Sequence, residues 1–287
     1  MKCDLHVHTI HSGMCTVPGF RRICRESYNQ PARLYDALKR RGMDLVTVTD
    51  HDSIDAAETL RHHADFFLSE EVSCRTSRGT ELHVGVYDIT ERDHVEMQRR
   101  CGDLTSLFPY LEERGLLYSI NHVYSGLTGP RTEADFDEFA ACFPAVETLN
   151  GQMLAIANRH AEAFAGRNRK IALAGSDSHT MASLGRTYTS VAGARSLREF
   201  IAGLHQGRAA TEGESGNYWK LTRAVLEIAS DLMRERRWTV VLAPLLAALP
   251  LVILANLVRE TSFACHWGRR TARFHKPVPA ACALERA

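Results

Sequence analysis

The feature that most constrains this chain is an alternation of short apolar runs with helical stretches, sustained from residue 1 to about residue 215. "CDLHVH" reads as a strand, and "PARLYDALKRRG" as a helix with Pro31 near its first turn and Gly42 at its end. "DLVTVTDHD" is a β-branched run ahead of the helical "SIDAAETLRHHA", with Ser53 as its N-cap. "FFLSEEVSC" and "ELHVGVYDI" are strand-like runs on either side of the turn-like "RTSRGT". The helical "ERDHVEMQRRCGDLTSLFPYLEERG" precedes the strand "LLYSINHV". Then come "ADFDEFAACF" (helix), "AVETLN" (strand), "MLAIANRHAEAFAGR" (helix), "KIALAGSDSH" (strand) and the helix "SLREFIAGLHQG". Repeated β-α units of this kind predict a parallel sheet or barrel covered by helices. In such barrels the reactive residues sit at the C-terminal ends of strands.

Those strand ends carry the chemistry. Residues i and i+2 of a strand point to one face, so His6 and His8 project together. Two neutral imidazoles converging on a point suit a divalent cation, although an isolated H-x-H also fits two half-buried histidines bonded to backbone. The neighbouring strands decide between the two. "TDHD" offers Asp50, His51 and Asp52, "LSEEVSC" carries Glu71, and "ELHVGV" carries His83. "SINHV" carries His122, and "LAGSDSH" ends on Asp177 and His179. Imidazole with carboxylate suits Zn²⁺, Mn²⁺ or Fe²⁺, and the absence of clustered thiolates argues against a structural zinc. The ligands are too many for one ion, so a centre of two or three metals bridged by a carboxylate is expected. Two metals roughly 3.5–4 Å apart stabilise an in-line phosphoryl displacement and acidify a bridging water.

"DLHVHT", "TDHD", "SEE", "ELHVGV", "INH" and "GSDSH", in that order, resemble the PHP (polymerase and histidinol phosphatase) superfamily over about residues 1–215. The resemblance implies a distorted (β/α)7 barrel, a di- or trinuclear metal centre and phosphoesterase chemistry with metal-activated water as nucleophile. Carried over motif by motif, His6, His8, Glu71 and Asp177 would hold the first metal. Glu71 would bridge to a second held by His83 and His122, and His51 and His179 would hold a third. The chain departs from the family at the end of the first motif. Where S-D-G is common it has "HSGMC", with Gly13 in place of the acid, which leaves His11, Cys15 or water to complete the third site.

Asp50, Asp177 and His179 are the candidates for protonating the leaving oxygen. Arg186 in "LGRTYT" could hold a phosphate bidentately, with Arg131 in "GLTGPR" and Asn150 in "ETLNG" as further substrate contacts. Lys+Arg of 35 against Asp+Glu of 34 argues against a nucleic-acid coat. The expected substrate is therefore a small phosphorylated molecule or a short oligonucleotide, with no stable nucleic-acid partner. Eight scattered cysteines without C-x-x-C, and no leader ahead of the first strand, point to a reducing cytoplasm.

The last quarter differs. Residues 216–237 read as an amphipathic connector, and 238–258 contain no charge. An apolar run of that length is a transmembrane candidate, flanked here by Trp238, Arg236, Arg237 and Arg259; a buried hairpin broken at Pro250 is the alternative. Residues 259–287 read as a basic, structureless tail. The expectation is thus a cytoplasmic phosphatase or phosphodiesterase tethered to the cytoplasmic membrane. Two competitors remain: a metal-stabilised scaffold on the same tether, and an amide-hydrolysing barrel. The second would want a lysine at a strand end, and Lys170 begins one instead.

Overall fold

A computed structural model describes residues 1–76 and 78–274. Its first half holds β1 (Lys2–Cys3), α1 (Pro31–Arg40), α2 (Ala57–Leu60), β2 (Ser69–Arg75), β3 (Glu81–Tyr87), α3 (Glu91–Arg100), α4 (Leu104–Glu113) and β4 (Leu117–Ile120). The second half holds α5 (Glu133–Cys142), β5 (Ala145–Asn150), α6 (Ala155–Arg167), β6 (Ile171–Gly175), β7 (Thr187–Val191), α7 (Leu197–His205) and β8 (Ala209–Gly213). α8 (Tyr218–Glu235), a 3-10 segment (Arg237–Ala248) and α9 (Leu249–Phe274) follow.

The α/β character holds, but the sheet is neither all parallel nor closed. One open sheet has the order β2-β3-β4-β5-β6 and the other β1-β7-β8. β4, β5 and β6 run parallel, whereas β3 is antiparallel to both β2 and β4. The "RTSRGT" turn makes β2 and β3 a hairpin, with Gly79 at φ +82. β7 and β8, from "TYTSV" and "AATEG", were not expected from the sequence; β7 lies between β1 and β8 and pairs with both.

Single bridges take over beyond the strands: Val7–Ser178 ties the chain after β1 to the chain after β6, and His51–Glu71 ties the "TVTDHD" run to β2. Polar side chains explain why these stay single. Asp4 accepts from the backbone N–H groups of His6 (3.3 Å), Ser176 (2.7 Å) and Gly185 (2.8 Å). Thr49 Oγ1 accepts from Val7 N (3.0 Å), and Asp50 from Thr9 N (2.6 Å). Side chains that take backbone donors in this way compete with a sheet ladder, so "CDLHVH" is extended but only Lys2–Cys3 pairs regularly. Apolar packing continues where the ladder stops. Cys3, Leu45, Phe67, Tyr87, Leu117, Ala145 and Leu173 share one buried cluster, one residue from each of seven extended segments.

Helix boundaries follow local chemistry. Thr90 with Asp93, and Thr132 with Asp135, form capping boxes that open α3 and α5. The long helical run after Glu91 divides at Gly102, because Asp103 caps a second helix by accepting from Thr105 N (2.9 Å). "SIDAAETLRHHA" yields only the one-turn α2, and Ser53 accepts from Asp55 N rather than capping a helix.

The C-terminal quarter departs most from expectation. Residues 237–273 form one long apolar helical rod, with mean hydropathy 2.5 in its most apolar window. Its first twelve residues are wound as 3-10 helix around Pro244, so 238–258 is not a single α-helix and Pro250 breaks nothing. Residues 259–274, expected to be structureless, are the docking half of α9; residues 275–287 lie outside the described residues. Glu260, Ala264, Trp267 and Thr271 are buried, a spacing that places them on one helical face against the body. Trp267 packs on Phe136, and Thr271 bonds Tyr124. The preceding stretch instead exposes Val241, Leu245, Leu251, Val252 and Val258.

Candidate metal centre

The strand ends meet around one carboxylate. Glu71 on β2 is fully buried, and five imidazoles surround it: His6 Nε2 (3.1 Å), His122 Nε2 (3.2 Å), His8 Nε2 (3.4 Å), His51 Nδ1 (3.4 Å) and His83 Nδ1 (3.5 Å). Asp177 Oδ1 closes the group at 3.3 Å from His8 and 3.5 Å from His6. His83 lies early in β3 rather than at its end, because that strand runs antiparallel. His122 and Asp177 hold positive φ of +32° and +50°, a strained region for residues with side chains that is concentrated at functional sites.

Around this carboxylate lie four sets of three residues whose ligand atoms all fall within 4.8 Å of one another. They are His6/His8/Asp177, His6/Glu71/His122, His51/Glu71/His83 and His8/His51/His179. Imidazole and carboxylate donors of this kind suit a first-row divalent cation. His51 Nδ1, His83 Nδ1 and His179 Nε2 are buried yet have no hydrogen-bond partner, as atoms reserved for a cation would be.

Flanking groups set the tautomers. His6 Nδ1 donates to Glu147 (2.7 Å), His8 Nδ1 to Ser12 Oγ (3.0 Å) and His179 Nδ1 to the Asp177 carbonyl (3.0 Å). Each bond leaves Nε2 with its lone pair toward the centre, the arrangement that orients metal-binding histidines. Ser12 in turn donates to Asp50 (2.6 Å). Asn121 donates to Glu71 (2.9 Å), and Asn150 donates to Glu147 (2.9 Å) and Asp177 (3.0 Å).

Charge follows the geometry. Burial alone would raise the carboxyl of Glu71, but His6, His51 and His83 together hold it well below the usual range. The same opposition holds Asp177 low, through His6 and His8. Burial, reinforced by His179, pushes His8 down to about 3.

Glu26 is the residue that sequence reasoning missed. It lies 3.7 Å from both His51 Nε2 and His179 Nε2, on the side where the acid absent at Gly13 was expected. Burial works against its charge, but those histidines pull it down to about 2. A hairpin delivers it: Met14 bridges Arg25, and Glu26 N donates to Gly13 O (3.1 Å). His11 stays in a surface loop, 3.9 Å from Asp55.

The structure places four other residues expected at the site and corrects two of them, Arg131 and Arg186. Asp50 has both oxygens occupied by Thr9 and Ser12, and Ser12 in turn bonds His8, a setting that suits orienting His8 rather than giving up a proton. Arg131 is buried over Phe139 and bonds the Glu81 carbonyl, which makes it a structural arginine. Arg186 is half exposed and pairs with Glu214 (3.3 Å) away from the ligand cluster. Asn150 is fully buried, with its amide donated to Glu147 and Asp177.

Residues 155–209 match the model of a family described as PHP-associated. The fold is similar to that of a two-domain protein from Bacteroides vulgatus ATCC 8482, described as containing a predicted PHP-like metal-dependent phosphoesterase. That likeness has a TM-score of 0.56 at 19% identity, over 79% of this chain and 69% of that one. It is also similar to PsfC from Pseudomonas syringae PB-5123, with a TM-score of 0.57 at 18% identity, over 80% of this chain and 98% of the other. No curated protein matches the chain. The fold and the clustered ligands define the class, an α/β protein built to bind divalent metal. Within that class the chain shares its fold with the two solved structures above and matches the PHP-associated model over residues 155–209.

Proposed function

We propose that this chain is a metal-dependent hydrolase of phosphoesters. The observation that carries the reading is the single buried carboxylate of Glu71 with five imidazoles within 3.5 Å. A structural site needs four ligands and no spare capacity; a bridging carboxylate with this many partners suits two or more ions. Bound there, divalent metals would supply Lewis acidity and an acidified water.

His6, His8, Glu71 and Asp177 would hold the first ion, and Glu71 with His83 and His122 the second. His51 and His179 would hold the third, completed by Glu26 in place of the missing acid. Glu147 and the Ser12–Asp50 pair keep His6 and His8 in the tautomer that ligation needs. Asp177 and His179 line an opening toward these ligands, and they are the groups within reach of a leaving oxygen. The seven extended segments that share one core cluster support a distorted, incompletely bridged barrel. The exposed apolar stretch ahead of Arg259 supports membrane tethering of a cytoplasmic enzyme.

Metal analysis and turnover of nitrophenyl phosphate mono- and diesters, on the full chain and on Glu26→Gln, test the reading together. Metal-dependent turnover, with one metal fewer per chain in the variant, is the expected result. Turnover indifferent to chelation would overturn the assignment, and an unchanged metal count in the variant would overturn the role of Glu26.

A further inference from the structure

One cavity opens against the ligand cluster, and its walls are apolar. It measures about 210 Å³ and has Asp177 and His179 on one side. Met153, Leu154, Leu221, Ala224, Ile228 and Leu257 form the rest of its lining that matters here. Leu221, Ala224 and Ile228 follow the i, i+3, i+7 spacing of one face of α8, together with Val225. Such a stripe normally packs into a core; here Leu221, Ile228 and Leu257 are only half-buried because the space before them is open. Leu127, 61% exposed, stands at the rim. Polar groups contribute little. Glu260 Oε2 accepts from Ser125 Oγ (2.9 Å) and Gly126 N (3.0 Å), while Glu260 Oε1 and Gln152 Oε1 are buried without a hydrogen-bond partner. The outer wall comes from α8 and α9, which follow the residues matched to the PHP-associated family.

We infer that the substrate is a phosphoester whose leaving group carries an alkyl or aryl chain, and that this chain occupies the cavity while the phosphoryl group sits at the ligands. The inference rests on the phosphoesterase reading and adds the substrate class to it. Size sets the scale. An apolar cavity of roughly 150 Å³ takes a benzene ring, and drug-sized ligands need roughly 300–1,000 Å³. A volume of about 210 Å³ therefore accepts a phenyl group or a short alkyl chain, with longer chains leaving past Leu127. A sugar or a nucleoside would strip most of its hydroxyls of water against these mainly apolar walls and find few partners, at a loss of affinity.

The test is calorimetric titration of methyl-, butyl- and hexylphosphonate into the full-length Mn²⁺-loaded chain; these ligands are not hydrolysed, so the readout is independent of turnover. Burial of each methylene is worth about fourfold in affinity, so hexylphosphonate is expected to bind about a hundredfold or more tighter than methylphosphonate. Ala224→Phe, which fills the cavity, should flatten the series. Leu221→Ala, which enlarges it, should extend the gain to longer chains and serves if the first variant does not fold. Equal binding of all three phosphonates would overturn the inference and leave the phosphoesterase reading standing. A series as steep in Ala224→Phe as in the native chain would likewise overturn it. Failure of every phosphonate to bind would overturn both.

Discussion

Asp50→Asn separates an orienting carboxylate from a proton donor. Asp50 is fully buried and accepts three short bonds, from Thr9 N, Thr9 Oγ1 and Ser12 Oγ, each 2.6 Å. Asparagine keeps one acceptor oxygen for Thr9 N and Ser12 and turns its amide toward Thr9 Oγ1, a hydroxyl able to accept. What is lost is charge assistance. Bonds to charged groups contribute about 1.5–3 kcal/mol against about 0.5–1.5 for neutral ones. Burial outweighs these bonds and holds the Asp50 carboxyl above its usual range. The relief of burying a neutral side chain therefore cancels most of the loss, and stability should change by no more than about 1 kcal/mol. The neutral acceptor also polarises the Ser12 hydroxyl less, so its hold on the His8 Nδ1–H weakens. Loss of an orienting partner lowers metal affinity by about 10–100-fold. Competition with a chromophoric chelator measures that affinity, and turnover at saturating Mn²⁺ should recover to within a few-fold of the native chain. A variant that fills its metal sites normally and yet has no turnover would refute the orienting role and return Asp50 to the chemistry.

Three further outcomes follow from packing and charge. A Cβ at Gly175 would lie 2.3 Å from His6 Cβ and 2.5 Å from His6 N. Gly175→Ala should therefore destabilise by about 1–3 kcal/mol in urea titration and weaken metal binding by displacing His6. Trp267 is buried, with its ring 5.2 Å from that of Phe136. Trp267→Ala should lose about 3–5 kcal/mol, and limited proteolysis should then cut within α9; unchanged cleavage would show that α9 docks without it. Asp93 takes bonds from Arg114 (2.8 Å) and Tyr110 (2.6 Å), and these outweigh burial to hold its carboxyl below the usual range. Its stabilisation is present above the unfolded value of about 3.9 and is lost as pH falls through the lower folded value. Asp93→Asn should be less stable by about 1–2 kcal/mol at pH 7, with the gap narrowing below about pH 4 in thermal melts.

The candidate ligands were legible because each lies in or beside a strand-like run and is a residue type with few other uses there. Alternation alone put His6 and His8 on one face, and the structure keeps them there. Glu26 was not legible, since nothing in "CRESYNQP" distinguishes it from a surface glutamate. Only the Met14–Arg25 bridge brings it back beside Gly13. The direction of β3 was equally hidden, because a strand's apolar pattern is the same read either way. Asp50 misled for a related reason: its place at a strand end was visible, but the hydroxyls of Thr9 and Ser12 that capture it were not. At the C-terminus, charge alone made residues 259–274 look structureless. The burial of Trp267, Ala264 and Thr271 depends on a partner surface the local sequence cannot show.

The most direct test of the central claim is phosphoester turnover by the full chain as a function of added Mn²⁺, alongside Glu71→Gln. Turnover that rises with metal to a plateau in the native chain, and is absent in a folded Glu71→Gln that binds fewer metals, is the predicted result. Full turnover in Glu71→Gln would contradict it.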